Sequence, residues 1–256
     1  MNTLFVLAII LFLLMVIFGG TKGVRSFFSL FLNFLIIMIA VIFMMAPEIH
    51  PIIIAAISCI IITSVNLFFI NEVNAKTVTA FISTIITIGI LFAFIMIVTK
   101  ASMIQGFGEE EVDEIIPVYS VYLGVDFVQI AASVIILSTL GAIIDVAISI
   151  TSPMQEIFHH HPTISRKDLF KSGLTIGRDI LGSNANTLFF AFIGGYLALL
   201  IWFKDLSYSF LDIINSKIFT AESITIFTAG IGIALVVPIA AFINAYYIFH
   251  QKKKST

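Results

Sequence analysis

Two groups of polar residues interrupt a chain that is otherwise strongly apolar, and both combine charged or amide side chains with glycine. The first is the run 141–149, in which Asp145 is the one charged residue. The second is the run 171–187, which contains Arg178 and Asp179 followed by Asn184 and Asn186. An ionisable group at membrane depth costs about 3 kcal/mol or more, so it normally faces a bundle interior and marks a pathway or a partner.

Within each group the polar residues recur at helical spacing. One face of the first group carries Ser138, Gly141, Asp145, Ser149 and Ser152, and one face of the second carries Ser172, Thr175, Asp179 and Asn186. Residues at these intervals share a side of an α-helix. The two polar stripes lie on neighbouring elements, and we expect them to face each other.

The composition places these stripes in a membrane protein. Of the 256 residues, 60% are hydrophobic and only 11% are charged, against about a quarter in ordinary soluble domains. The 13 basic and 15 acidic residues nearly balance, which argues against nucleic acid as a partner. The single Cys59 excludes a disulfide framework and a cysteine metal site.

The apolar segments predict an all-α polytopic transmembrane bundle that forms a single domain over residues 1–256. About seven of them are long enough to cross a hydrocarbon core of roughly 30 Å. The predicted spans are 3–19, 26–46, 51–70, 80–99, 127–150, 183–203 and 224–249.

The distribution of basic residues predicts the orientation. If the N-terminus is outside and the C-terminus inside, cytoplasmic segments collect ten of the thirteen basic residues. These are Lys22, Arg25, Lys76, Arg166, Lys167, Lys171, Arg178, Lys252, Lys253 and Lys254. The acidic run 109–114 then falls outside, and the segment 115–126, with Tyr119 and Tyr122, is interpreted as interfacial. The frequent use of Ile and Phe, and of Lys rather than Arg, is typical of an AT-rich bacterial genome. We expect the protein to lie in a bacterial cytoplasmic membrane.

Residues 166–181 predict an additional cytoplasmic amphipathic or re-entrant helix that begins at Ser165 or Thr163 as N-cap. Two interpretations of 182–186 stay open. A helix break would start the sixth span at Asn184 or Asn186 with free N–H groups, whereas a continuous kinked helix fits the same residues. Gly173 and Gly177 form a G-x-x-x-G pattern and, with Gly141, are predicted to pack helices.

With this orientation, the strongly polar residues concentrate in the cytoplasmic half of the bundle. Besides the two stripes they include Asn33, Asn66, Ser83, Thr84, Thr87 and Asn244. One interpretation is a vestibule that opens to the cytoplasm. The alternative is that these side chains hold helices together, at about 0.6 kcal/mol per hydrogen bond.

No catalytic or metal-binding pattern accompanies these residues. His159, His160 and His161 precede Pro162 and are predicted to lie in a solvated loop, because three adjacent imidazoles do not readily converge on one ion and no carboxylate or cysteine follows at zinc spacing. No hydrolase, zinc-protease or P-loop motif is present. The sequence therefore predicts no metal site, no cofactor and no enzymatic activity, and metal binding by His159, His160 and His161 stays open as the less favoured alternative.

The chain resembles the YibE/F family of bacterial membrane proteins, in particular its smaller, YibF-like members. The resemblance rests on the segments 74–84, 141–149 and 169–188, and it covers roughly residues 70–250. It implies a multi-span inner-membrane protein without an established reaction, and a larger YibE-like homologue as a partner. Asp145, Arg178, Asp179, Asn184 and Asn186 are the positions that match the family motif.

Two functions follow as expectations. The first is a transporter or permease component whose cytoplasm-facing cavity is lined by Asp145, Ser149, Arg178, Asp179, Asn184 and Asn186. The second is a non-transporting membrane subunit that pairs with a copy of itself or with the larger YibE-like homologue. In both cases the lipid bilayer is the surrounding medium.

Overall fold

The computed structural model describes residues 3–46, 48–106 and 126–255, and this part of the chain contains helices and no strand. The predicted acidic run 109–114 and the segment with Tyr119 and Tyr122 lie outside the described residues. The helices are α1 (Thr3–Met44), α2 (Pro51–Ser64), α3 (Ala75–Ser102), α4 (Phe127–His160), α5 (Arg166–Gly195), α6 (Leu197–Asp205), α7 (Phe210–Asn215) and α8 (Lys217–Ser255). A π-helical turn, Val65–Phe69, extends α2.

Helix α1 doubles back on itself at Gly20, where the backbone has φ 56° and ψ −134°. The rings of Phe12 and Phe27 are 4.9 Å apart, whereas fifteen residues of straight helix would separate them by about 22 Å. A Cβ at Gly23 would collide with the carbonyl of Met15. Glycine at this position therefore lets the two apolar arms approach closely, and these arms coincide with the predicted first and second spans.

Side-chain caps explain where the following helices begin. Asn74 accepts a hydrogen bond from the Thr77 backbone, and the Thr77 hydroxyl accepts one from the Asn74 N–H, so both groups at the start of α3 are satisfied. Asp126 caps α4 in a similar way. Ser165 accepts from the Asp168 N–H, which confirms Ser165 as the predicted N-cap of α5.

Five helices are long and apolar enough to cross a membrane, or six if the bent pair α5–α6 forms one span. This count takes α1 as a single helix, so the predicted number of seven crossings stays a prediction. Two helices extend beyond the predicted spans. Helix α4 continues ten residues past the predicted end at Ile150 and includes His159 and His160, which therefore do not lie in a loop.

The second of these helices contains the sixth predicted span and decides between the two interpretations of residues 182–186. A single helix, α5, runs from Arg166 through residues 182–186 without a break, so the predicted amphipathic segment and the sixth span are continuous and neither Asn184 nor Asn186 is an N-cap. The interruption lies instead at Tyr196, with φ −105° and ψ 13°, where α5 and α6 meet at 49°.

Helix α8 is the centre of the bundle and packs against α3, α4 and α5, while α2 packs against α4 and α1 against α2. Its residues Ile233, Val236, Ala240 and Ala241 are fully buried. Both arms of α1 expose most of their large apolar side chains. Such a surface suits a hydrocarbon environment, since it would be unfavourable in water.

The orientation can be tested with two single cysteines in a Cys59→Ala background. We expect Ser207→Cys, between α6 and α7, to react with a membrane-impermeant maleimide in intact cells. We expect Thr163→Cys, between α4 and α5, to react only after permeabilisation, because the basic residues near it favour the cytoplasmic side. The reverse labelling pattern would contradict the predicted orientation. Both positions are exposed, so burial does not limit either reaction.

Candidate functional site

The polar stripe of α4 lies on the outer side of the helix. Ser138, Gly141, Asp145 and Ser149 are exposed, while the residues on the opposite side, such as Ile143, Val146 and Ile150, are fully buried. No atom lies within 4 Å of a Cβ built at Gly141, so this glycine does not pack a helix within the chain. The predicted spacing of the stripe therefore holds, and its direction is outward.

The second stripe has the same outward direction on α5. Arg178, Asp179 and Asn186 are exposed, and a Cβ at Gly182 would meet nothing within 4 Å. Asn184 is half-buried and its amide donates to the Ile180 carbonyl of its own helix at 2.8 Å. That bond satisfies the amide within one helical turn.

The two stripes come to similar heights in the bundle. A Cβ at Gly173 on α5 would meet the Met154 sulfur on α4 at 2.5 Å, so these residues lie side by side. Because α5 runs back along α4 at about 1.5 Å per residue, Asp145 lies roughly one helical turn further along than Arg178 and Asp179. Met154 belongs to the buried side of α4, so α5 contacts α4 on the side away from Asp145. Both stripes are therefore exposed and do not face each other, contrary to the prediction.

The described residues form two ion pairs, Arg25 with Glu72 and His160 with Glu156. Neither pair includes Asp145, Arg178 or Asp179. We call Asp145, Ser149, Arg178, Asp179 and Asn186 the outer polar face.

The opposite side of α5 carries the two glycines of the G-x-x-x-G pattern, and both are buried. A Cβ at Gly173 would also lie 2.8 Å from the Ala241 Cβ, and one at Gly177 would overlap the Val237 side chain. At neither position is there room for a side chain larger than the hydrogen of glycine. The two glycines therefore bring α5 onto α8, which leaves the outer polar face pointing away from the bundle.

The polar residues that the fold does bring together surround Asn244 of α8. Its side-chain carbonyl accepts from the Thr79 hydroxyl at 3.2 Å and from the Gln155 amide at 2.8 Å, and its own amide donates to the Thr151 carbonyl at 3.0 Å. The Thr151 hydroxyl donates to the Lys76 carbonyl. Asn244 is completely buried, so this network joins α3, α4 and α8 inside the bundle.

The remaining candidates for a vestibule are satisfied locally or packed. Ser83 and Thr87 are fully buried and donate to carbonyls one turn earlier in α3. The buried Thr84 hydroxyl has no hydrogen-bond partner among the described residues. Asn33 donates to Asn66 at 3.3 Å and so joins α1 to the π-helical turn. These contacts match the alternative in which such side chains hold helices together.

A second polar contact lies at the bend between α5 and α6. The Tyr196 hydroxyl donates to the Glu222 carboxylate of α8 at 2.6 Å. Both line a cavity of about 460 Å³ whose other walls are largely apolar and include Phe127, Ile130 and Val134. The arrangement holds the bend in place with a carboxylate at the edge of an apolar cavity.

Sequence reasoning missed Thr79, Thr151 and Gln155, as well as the pair Tyr196 and Glu222. Gln155 follows the predicted end of the fifth span, and Thr79 precedes the predicted fourth span by one residue. The capping sequence at Asn74 and Thr77 was a signal that α3 starts early enough to include Thr79. No comparable signal marks the extension of α4 through Pro153 to Gln155.

Comparison with known proteins relates nearly the whole chain to one family. The model of the YibE/F-like protein family matches residues 7–250. Searches of curated proteins and of solved structures each found no significant match. Since the matched region includes both polar stripes, the Asn244 network and the bend at Tyr196, it covers every feature described above. The chain belongs to the YibE/F-like family of membrane proteins.

Proposed function

We propose that the chain is a subunit of a membrane assembly and that a second chain of its own family covers the outer polar face. The observation that supports this proposal is the exposure of Asp145, Arg178 and Asp179 on the outside of an apolar bundle. Asp145 lies near the middle of α4. A carboxylate that faces lipid at the middle of a span costs about 3 kcal/mol, and a polar partner removes most of that cost.

The shape and charge of the face fit a partner helix. Gly141 and Gly182 leave open space on α4 and α5, and small residues let another helix backbone approach closely. The face carries charges of both signs, Asp145 and Asp179 against Arg178. A copy related by a two-fold axis through this face can pair Arg178 of each chain with an aspartate of the other, as an isologous interface requires. A homologous chain with the same charge pattern would meet them equally.

Cysteine cross-linking in native membranes tests the proposal. In a Cys59→Ala background, we expect Gly182→Cys to form a disulfide with a second chain on mild oxidation, because position 182 lies in the middle of the outer polar face. A product of twice the chain mass would identify a copy. A larger product that appears only when a YibE-like homologue with a cysteine introduced at its contact helix is co-expressed would identify that homologue.

The matched control is Gly89→Cys. Gly89 is as open as Gly182 but lies on α3 among the exposed apolar residues Ile82, Ile86 and Ile90, where no charge calls for a partner. Equal cross-linking at positions 89 and 182 would indicate random collision and contradict the proposal. Adding Asp145→Leu to Gly182→Cys should reduce the product, since it removes one of the complementary charges.

A second candidate function is transport, and the bend at Tyr196 is the observation that favours it. Interrupted spans occur at substrate and ion sites in many transporters, and here the interruption lies beside the Glu222 carboxylate and an apolar cavity. In this proposal the cavity binds the substrate and the outer polar face completes the route with the partner chain. Substrate-dependent flux in reconstituted vesicles that Glu222→Gln abolishes would support transport, and flux unchanged by that substitution would contradict a role for this carboxylate.

A further inference from the structure

The last turn of α4 gathers three side chains that can ligate a metal ion. One ligand atom each from Glu156, His159 and His160 lies within 4.8 Å of the others, and all three side chains are exposed. The His160 Nε2 and a Glu156 carboxylate oxygen are 3.1 Å apart. His159 and His160 follow Glu156 at i+3 and i+4, so the helical conformation brings the carboxylate close to both imidazoles.

This donor set suits a zinc-class divalent cation. Two imidazoles and one carboxylate are the protein ligands of several zinc sites, in which water or another ligand occupies the fourth position. Imidazole nitrogens also favour nickel and copper over magnesium and calcium, which prefer oxygen ligands alone. The negative end of the helix dipole lies at the C-terminus of α4 and adds a favourable contribution for a cation.

Contacts from α8 hold the end of α4 in position. The Lys252 ammonium donates to the Pro162 carbonyl at 2.8 Å and lies 5.7 Å from the centre of the Phe158 ring. The chain just after the ligands is thus tied to the end of another helix. Lys76 lines the same surface cavity as Glu156 and His159, and its positive charge opposes a cation there. We therefore expect affinity on the order of micromolar rather than that of a closed structural site.

We propose that Glu156, His159 and His160 form a binding site for a zinc-class divalent cation at the end of α4. The site depends on α4 remaining helical through His160. In a loop, the three adjacent histidines would compete, whereas the helix selects His159 and His160 and adds Glu156 from one turn earlier. His161 is outside the set, because its backbone has left the helix at φ −129° and ψ 72°.

His161 therefore supplies the matched control. The purified full chain, carrying an affinity tag without histidine, is titrated with zinc chloride in an isothermal calorimeter. A parallel titration with magnesium chloride is the negative control, because magnesium prefers oxygen ligands. We expect one zinc site and no magnesium binding. His160→Ala and Glu156→Gln should each weaken zinc binding by tenfold or more, and His161→Ala should change it by less than twofold.

All three variants change exposed side chains, and an unchanged helical circular dichroism spectrum verifies that each is folded. The two histidines far along the chain from the proposed site, His50 and His250, are present in every variant, so any zinc that they bind cancels in the comparison. Absence of zinc binding by the wild-type chain would overturn the proposal. Equal affinity in wild type and His160→Ala would overturn it too, as would an equal loss in His161→Ala.

Discussion

A Gly177→Leu variant should lose the packing of α5 on α8 and unfold at a markedly lower temperature or detergent concentration than the wild type. A Cβ at position 177 would already overlap the Val237 side chain, and leucine adds three further carbons in the same place. Overpacking of a tight contact costs about 1–3 kcal/mol and occasionally more, and this substitution belongs at the upper end of that range. Thermal unfolding followed by circular dichroism in detergent measures the effect.

Gly194→Leu is the matched control, because it adds the same side chain to the same helix where nothing lies within 4 Å. It should leave stability within about 0.5 kcal/mol of the wild type. The double variant Gly177→Ala with Val237→Ala should be more stable than Gly177→Ala alone, because the smaller residue on α8 makes room for the new methyl group. Wild-type stability of Gly177→Leu would show that α5 does not pack on α8 through this glycine.

Asn244→Ala should give the second large effect, a loss of about 1–3 kcal/mol of folding free energy. The substitution removes three hydrogen bonds that link α8 to α3 and α4, and it leaves the Gln155 amide and the Thr151 carbonyl without the partner they have now. Bonds of this kind average about 0.6 kcal/mol in membrane proteins, and a buried group left unsatisfied costs more. Unfolding in a titration with a denaturing detergent measures the difference.

Asn184→Ala controls for the loss of an asparagine. The Asn184 amide bonds only to the Ile180 carbonyl of its own helix among the described contacts, and its loss separates no helices. We expect a change of less than about 0.5 kcal/mol there. If both variants lost the same stability, the position of Asn244 between three helices would not explain its contribution.

The sequence was sufficient for the helical membrane class because hydropathy and helix caps depend on local residues. The start of α5 at Ser165 follows from one hydroxyl three residues before an N–H that needs a partner. The spacing of the stripe around Asp145 follows equally from the helical period. Each of these properties is set within a few residues of the chain.

The direction of the stripes could not be predicted, and the physical reason is the uniform hydropathy of the helices. In a soluble protein the polar side of a helix faces water and the apolar side faces the core. In a membrane bundle, lipid and core are equally apolar, so residues such as Ile143 and Val134 look alike although the first is buried and the second exposed. Only the glycines gave a directional signal, and Gly173 and Gly177 face inward whereas Gly141 does not.

The end of α4 could not be predicted from the sequence either. Hydropathy identifies the part of a helix that lies in hydrocarbon. A helix can continue past that part into water, where its polar side chains are solvated. Gln155 and the pair His159 and His160 lie in such an extension of α4. The partner of Asn244 and the candidate metal ligands were therefore both hidden beyond the predicted boundary of one span.

The Asn244 network also constrains the order in which the protein can be assembled during synthesis. Asn244 follows Thr79 by 165 residues and Gln155 by 89 residues in the chain. The ribosome therefore releases α3 and α4 long before α8 exists, and Thr79 and Gln155 must meet water, lipid headgroups or the insertion machinery in the interval. Closing a network over so long a separation is slow, because the entropy of the intervening chain is lost before any bond forms. The nascent bundle thus stays open until its central helix arrives.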